Sequence, residues 1–192
     1  MIPALTRRAA ASLVVLSTLL PVAWAQQPPR VKFTTSAGEF VAEVYPDKAP
    51  KTVENFLQYV RDGHYDGTIF HRVMDGFMIQ GGGFTPDMQQ KATRSAIALE
   101  TRPDLKNDRG TLAMARTANP NSATAQFFIN VVDNKGLNAP MPDGHGYAVF
   151  GKVVSGMDVV DKIKGVPTGN RGPFQNVPST PVVIKSASVV KQ

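Results

Sequence analysis

The chain has 192 residues, of which 42% are hydrophobic and 19% charged, with no cysteine and a net charge of +6. This length suits one domain or two small ones, and the lack of cysteine excludes disulfide scaffolds, cysteine-based zinc modules and thiol catalysis. The apolar content argues against global disorder, and the scattered Lys and Arg residues give little support to nucleic-acid binding.

The first 25 residues have the three parts of a secretory signal peptide. Residues 1–8 carry two arginines and no acid, residues 9–20 are apolar, and residues 23–25 read Ala-Trp-Ala, a small-residue cleavage motif. The apolar stretch is too short to cross a bilayer as a helix, which takes ~20 residues. We therefore expect cleavage after Ala25, export to the periplasm and one domain over residues 26–192.

The mature chain opens with a predicted hairpin and a predicted helix. Residues 31–35 and 39–45 are strand-like runs separated by Ser-Ala-Gly, which favours a β-hairpin. The helix lies between Pro50, near its first turn, and Gly63, just past its end. Its apolar residues recur at the spacing i, i+3, i+4 and i+7, which predicts that one face packs on a core (Val53, Phe56, Leu57, Val60).

The remainder predicts short strands and a second helix at Met157–Lys164, with residues 165–181 among several irregular segments. The predicted strands are 68–73, 77–81, 96–99, 111–115, 126–131, 148–154 and 182–189. Many short strands with two helices predict a mainly β fold, a sandwich or a closed barrel, and closure is favoured because it leaves no unpaired edge. Since small barrels fill their interior with side chains, a binding site would lie on the outer wall or among the loops.

Familiar catalytic motifs are missing from the sequence. The histidines at 64, 71 and 145 do not form His-Glu-x-x-His, no Gly-x-Ser-x-Gly is present, and Gly81-Gly82-Gly83 does not lead into a helix. If the protein is an enzyme, we expect it to use no metal, cofactor or nucleophile.

Three segments place polar side chains beside large apolar ones: residues 70–82, 113–116 and 122–130. Strand alternation predicts that Phe70 and Arg72 share one face, and that Gln126, Phe128 and Asn130 share another. Taken singly, such residues are usually core or surface positions. A cation on the same face as an aromatic, however, either reaches out to solvent or serves a site.

The segments FHRVMDGFMIQGGGF, AMAR, QFFINV and YAVFGKVVSGMDVVDKI resemble the cyclophilins, which are peptidyl-prolyl cis-trans isomerases. The similarity runs from about residue 31 to residue 190, and with its signal peptide the chain most resembles the periplasmic bacterial members. The resemblance implies a closed eight-stranded antiparallel β-barrel capped by two α-helices, and catalysis without a cofactor or metal.

Carried over residue by residue, the resemblance makes Arg72 the catalytic arginine. It assigns substrate binding to Phe77, Met78, Gln80, Ala115, Arg116, Gln126, Phe128, Leu137 and Tyr147. Arg116 stands where many members have Asn, and Tyr147 where many have His. Gly136 stands where cyclosporin-sensitive members have Trp, so we expect weak cyclosporin binding.

The leading hypothesis is an exported prolyl isomerase whose partners are unfolded or partly folded exported polypeptides with Xaa-Pro bonds, without nucleic acid and without a membrane after cleavage. Arg72 would donate a hydrogen bond to the proline nitrogen when the amide twists. The alternative is a proline-peptide-binding module or chaperone without significant turnover, for which an aromatic and Met-lined surface would suffice.

Overall fold

The computed structural model describes residues 27–190, so the predicted signal peptide lies outside the described residues. This part of the chain forms ten strands, two α-helices and one 3-10 helix. The strands are β1 (Arg30–Thr35), β2 (Gly38–Val44), β3 (Phe70–Met74), β4 (Met78–Gly81), β5 (Thr111–Met114), β6 (Phe127–Asn130), β7 (Val149–Ser155), β8 (Thr168–Arg171), β9 (Phe174–Pro178) and β10 (Ile184–Val189). The helices are α1 (Pro50–Arg61), the 3-10 helix (Lys135–Leu137) and α2 (Met157–Lys164).

Eight strands form one antiparallel sheet in the order β10-β1-β2-β7-β5-β6-β4-β3. The predicted mainly β fold, the eight antiparallel strands and both helices are therefore confirmed. Closure into a barrel is not confirmed, because the edge strands β10 and β3 share no ladder. Contact between the two edges is confined to their beginnings, where Ile69 bridges Val183 and the Phe70 amide donates to the Val182 carbonyl. The curled sheet is thus open along the rest of that edge.

Two predictions about the strands are wrong. Residues 96–99 form no strand, and the segment makes one isolated bridge from Ile97 to Ala123. Residues 165–181 are not irregular, because they contain the separate β8–β9 hairpin. All four residues of β8 are exposed, so this strand has no alternation of buried and exposed residues to reveal it.

The main core lies on the inner face of the sheet, against both helices. Phe33, Phe56 and Phe127 are fully buried at its centre, and the ring of Phe127 lies 5.5 Å from Phe33 and 5.9 Å from Phe56. α1 buries Val53, Phe56 and Val60 of its predicted apolar face, and the fourth residue, Leu57, is partly buried. α2 buries Val159, Val160 and Ile163. Among residues 27–190, no helix is long and apolar enough to cross a membrane. With its inner face filled, the sheet offers its outer face for binding.

Candidate active site

A row of side chains crosses four strands on the face of the sheet turned away from the main core. Arg72 on β3 pairs with Gln80 on β4, Gln80 pairs with Phe128 on β6, and Phe128 pairs with Ala113 on β5. The neighbouring residues Ile79 and Phe127 belong to the main core on the other face. Strand alternation therefore sends these polar and apolar groups together to the outer face.

A bulge in β3 brings Arg72 to this face. The pairing of β3 with β4 shifts register between Phe70 and Arg72. Phe70 and Val73 both pack in the main core, whereas Arg72 is half-buried on the outer face. The prediction that Phe70 and Arg72 share a face is therefore wrong, because the extra residue of a bulge breaks the two-residue period.

Nine of the ten predicted site residues line one pocket of about 230 Å³ on the outer face. Met78 and Phe128 form its floor and are almost fully buried, with 2% and 4% of their surface exposed. The half-buried Phe77, Leu137 and Tyr147 pack on the same apolar cluster and form its rim. The remaining lining residues are Arg72, Gln80, Ala115 and Arg116.

Gln126, the tenth residue, lies in an adjoining pocket of about 330 Å³ that shares Gln80, Ala115 and Arg116 with the first. Gln80 joins the two pockets, since its Nε2 donates to Gln126 Oε1 at 3.0 Å. Its Oε1 faces Arg72 Nη1 at 3.5 Å, which is long for a hydrogen bond. Gly83 leaves room for Gln126, because an added Cβ would come 2.5 Å from Gln126 Cγ. The three polar side chains thus form a chain that restrains the guanidinium of Arg72.

Arg116 is held by its own loop. Its side chain is only 2% exposed, and its guanidinium forms an ion pair with Asp143 at 2.7 Å. It also donates to the carbonyls of Thr117 and Gly146, the latter at 2.8 and 3.1 Å. With these partners, the Arg116 side chain supports the pocket wall.

Gly136 lies in the 3-10 helix directly before Leu137, which is one of the residues that line the pocket. An added Cβ at this position would have no atom within 4 Å. The space around Gly136 is therefore open to an added side-chain atom.

The two arginines that line the pocket differ in their ion pairing. In the described part of the chain, Arg72 has no ion-pair partner, whereas Arg116 is paired with Asp143. Burial and the adjacent Arg72 lower the pKa of His71 from 6.5 to about 4, so this histidine is neutral at neutral pH. No group of three or more His, Cys, Asp or Glu residues suited to a metal occurs between residues 27 and 190.

Three residues that support the pocket were not predicted from the sequence. Asp143, which pairs with Arg116, lies in an exposed loop that carries no local signal. Asn107 and Asn134 were also missed. Both are buried, and they donate hydrogen bonds to the carbonyls of the rim residues Leu137 and Phe77. A third buried asparagine, Asn130, was singled out from the sequence because strand alternation aligns it with Gln126 and Phe128.

Comparisons with known proteins identify the family to which this chain is similar. The sequence profile of the family described as cyclophilin type peptidyl-prolyl cis-trans isomerase/CLD matches residues 30–189. A peptidyl-prolyl cis-trans isomerase of Streptomyces antibioticus is 62% identical over 162 residues, which cover 83% of this chain and 98% of the relative. Peptidyl-prolyl cis-trans isomerase B of Escherichia coli is 60% identical over 83% of this chain and 98% of its own length. Peptidyl-prolyl cis-trans isomerase A of Dickeya dadantii is 52% identical over 96% of both chains.

A crystal structure has the same fold. The cyclophilin type peptidyl-prolyl cis-trans isomerase of Cryptosporidium parvum, crystallised in the presence of the dipeptide Ala-Pro, superposes with a TM-score of 0.74 at 30% identity, covering 85% of this chain and 99% of that chain. The profile match spans nearly all of the described residues, and three relatives are more than half identical. The chain therefore belongs to the cyclophilin-type peptidyl-prolyl cis-trans isomerases.

Proposed function

We propose that the 230 Å³ pocket holds the proline of an Xaa-Pro bond and that Arg72 is the catalytic residue. The observation that carries this proposal is a cation without a carboxylate partner at the side of an apolar pocket, restrained by Gln80 and Gln126. The pocket is smaller than the ~300–1,000 Å³ typical of small-molecule sites, which suits one small apolar ring. The Cryptosporidium parvum relative was crystallised in the presence of Ala-Pro, a dipeptide that carries such a ring.

The proposed reaction makes and breaks no σ bond. Rotation about an Xaa-Pro bond must overcome a barrier of ~18–20 kcal/mol, because twisting the amide destroys its resonance. In the twisted state the proline nitrogen becomes pyramidal and gains a lone pair. An N–H of Arg72 donates to this lone pair only then, which stabilises the transition state over both planar isomers. Arg suits the task because it stays protonated and offers several donors in a fixed plane.

The apolar floor supports the same step. The planar amide is more polar than the twisted one, so the dry surface of Met78 and Phe128 favours twisting. The rim residues Phe77 and Leu137 hold the ring in place while the acyl side of the bond turns. The substrate backbone extends along the Ala115–Arg116 segment towards the adjoining pocket.

Exchange NMR on a short Xaa-Pro peptide tests this mechanism, with the protein starting at Gln26 and its Arg72→Ala and Arg72→Lys variants. We expect Arg72→Ala to slow catalysed exchange by about 10²- to 10³-fold, the typical cost of removing one transition-state donor. Arg72→Lys keeps the charge without the planar donors, so its exchange rate should lie between those of the parent protein and Arg72→Ala. Peptide-induced shifts should persist in all three proteins. Unchanged exchange in Arg72→Ala would overturn the assignment.

We also propose that the enzyme is exported and acts on exported polypeptides that contain Xaa-Pro bonds. The basis is the signal-peptide pattern of residues 1–25. Expression of the full chain in a Gram-negative host, followed by amino-terminal sequencing of the periplasmic fraction, should give a protein that begins at Gln26. A chain without residues 1–25 is the control and should stay in the cytoplasm. An uncleaved full-length chain in the cytoplasm would contradict the proposal.

A further inference from the structure

Three asparagines form a buried chain of hydrogen bonds behind the pocket. Asn107, Asn130 and Asn134 are 1%, 0% and 9% exposed. Asn134 Nδ2 donates to Asn130 Oδ1 at 2.6 Å, and Asn130 Nδ2 donates to Asn107 Oδ1 at 3.2 Å. Asn130 Nδ2 also donates to Thr111 Oγ1 at 2.9 Å, which anchors the middle of the chain to β5.

Both ends of this amide chain reach the walls of the pocket. At one end, Asn134 Nδ2 donates to the Phe77 carbonyl at 2.8 Å. At the other end, Asn107 Nδ2 donates to the Leu137 carbonyl at 3.1 Å and lies 3.5 Å from the Tyr147 carbonyl. The Tyr147 amide in turn donates to the Leu137 carbonyl at 3.0 Å. One continuous set of bonds therefore joins three rim residues that come from separate parts of the chain.

Asparagine is suited to this arrangement because its short amide donates and accepts at once. The Oδ1 atoms of Asn107 and Asn130 each accept from the next asparagine, while the Nδ2 atoms donate onwards. In a buried setting, an amide that loses its partner carries a desolvation cost, so each link favours one geometry. The three asparagine side chains have no titratable group, so the geometry of their hydrogen bonds should not change with pH.

We propose that Asn107, Asn130 and Asn134 are positioning residues that set the width of the pocket, by fixing the distance between Phe77 on one side and Leu137 and Tyr147 on the other. The inference rests on the proposed function of the pocket as the proline site. It predicts that breaking the amide chain loosens the rim and weakens substrate binding. Within the described residues, none of the hydrogen bonds of the three asparagines goes to Arg72 or Gln80, so these two residues should keep their contact.

The test is Asn134→Ala, which removes both the bond to Phe77 and the bond to Asn130. We expect KM for an Xaa-Pro peptide to rise by about three- to tenfold, the equivalent of about one net hydrogen bond, while kcat changes by less than about twofold. Ring resonances of Phe77 and Tyr147 should shift in the NMR spectrum. Asn134→Ser is the milder variant, and should give the same pattern if Asn134→Ala does not fold.

Thr35→Val is the matched control. Thr35 is 4% exposed at the end of β1 and does not line the pocket, and its hydroxyl also takes part in two hydrogen bonds, with Gly38 and Ala37. The control should lower the melting temperature to a similar degree with KM unchanged. An unchanged KM in the asparagine variants, or an equal rise in the control, would overturn the positioning role. Since Arg72→Ala tests the site itself, loss of activity in Arg72→Ala with unchanged KM in Asn134→Ala would refute the inference alone.

Discussion

The guanidinium of Arg116 lies over the ring of Tyr147, with its central carbon 4.5 Å from the ring centre. The same guanidinium binds the Gly146 carbonyl and the Asp143 carboxylate, so it fixes both the ring and the loop that leads to it. A stacked cation of this kind adds about 0.5–2 kcal/mol, more when it is withdrawn from water. The orientation of one rim residue of the pocket thus depends on a buried charge.

We predict that Arg116→Lys raises KM for Xaa-Pro peptides several-fold and leaves kcat nearly unchanged. Lysine keeps the charge, but it cannot hold Asp143, Gly146 and Thr117 at once or cover the ring as a plane. Steady-state kinetics would show the effect. Arg94→Lys is the control, because Arg94 is exposed and makes a single long ion pair with Asp62. Equal KM in both variants would show that the Arg116 contacts do not shape the pocket.

The Arg116 contacts should also be stable to mild acid. The hydrogen bond from Arg116 lowers the pKa of Asp143 below its usual 3.8. A carboxylate whose pKa is lower in the folded protein stabilises the fold at pH values above its pKa in the unfolded chain. This stabilisation is lost as the pH falls through the pKa of the folded protein. We therefore expect KM to be constant from neutral to mildly acidic pH. A change of KM with pH in this range that disappears in Asp143→Asn would contradict the prediction.

Gln126→Ala should lower kcat more than it changes KM. Without Gln126, Gln80 loses its 3.0 Å partner and the long contact to Arg72 loses its support. We expect a loss of about tenfold in kcat, because the cation is then placed less well in the transition state. Gln58→Ala on the exposed side of α1 provides the control. A variant with normal kcat would show that Arg72 is placed without the glutamine pair.

Gly136→Trp should strengthen cyclosporin binding by at least about tenfold and leave isomerase activity within about twofold. An added Cβ at Gly136 would have no atom within 4 Å, so the backbone there accepts a side chain, and the neighbouring Leu137 lines the pocket. The indole N–H supplies a hydrogen-bond donor, which is worth about one order of magnitude in affinity. Inhibition titrations would measure the change. Gly136→Ala adds a side chain without the indole and should stay as insensitive as the parent protein.

His71 should make the fold less stable in acid. Its pKa is lowered from 6.5 to about 4, first by burial and then by Arg72. Between these values the unfolded chain binds a proton that the folded protein does not, so stability is full above pH 6.5 and falls as the pH drops towards 4. In His71→Gln this part of the pH dependence should disappear in denaturant titrations. His145→Gln, at an exposed position, should keep the slope of the parent protein.

Sequence patterns predict elements that bury one face and miss elements that do not. The alternation in β1 and β2 and the helical spacing of Val53, Phe56 and Val60 come from packing on the core, and these elements were predicted within a few residues. The β8 strand buries no residue, and its hairpin was missed. The bulge before Arg72 was also missed, because nothing local marks the extra residue.

The site could be predicted only as a set of residues. Family motifs give the residue types, and the structure brings nine of them to one pocket and the tenth to its neighbour. The supports of the pocket depend on contacts between distant parts of the chain, such as Arg116 with Asp143 and Asn107 with Asn130. No periodicity in a linear sequence encodes such pairs. Their roles in substrate binding stay predictions.

The position of β1 in the sheet has a consequence for the protein during its synthesis. β1 lies between β2, which follows it directly, and β10, the last strand of the described chain. A chain made from its amino end therefore carries β1 with one unsatisfied edge until residues 184–189 have emerged. Such an edge invites pairing with other chains. The β1 edge is therefore exposed to such pairing until the last strand of the sheet has been made.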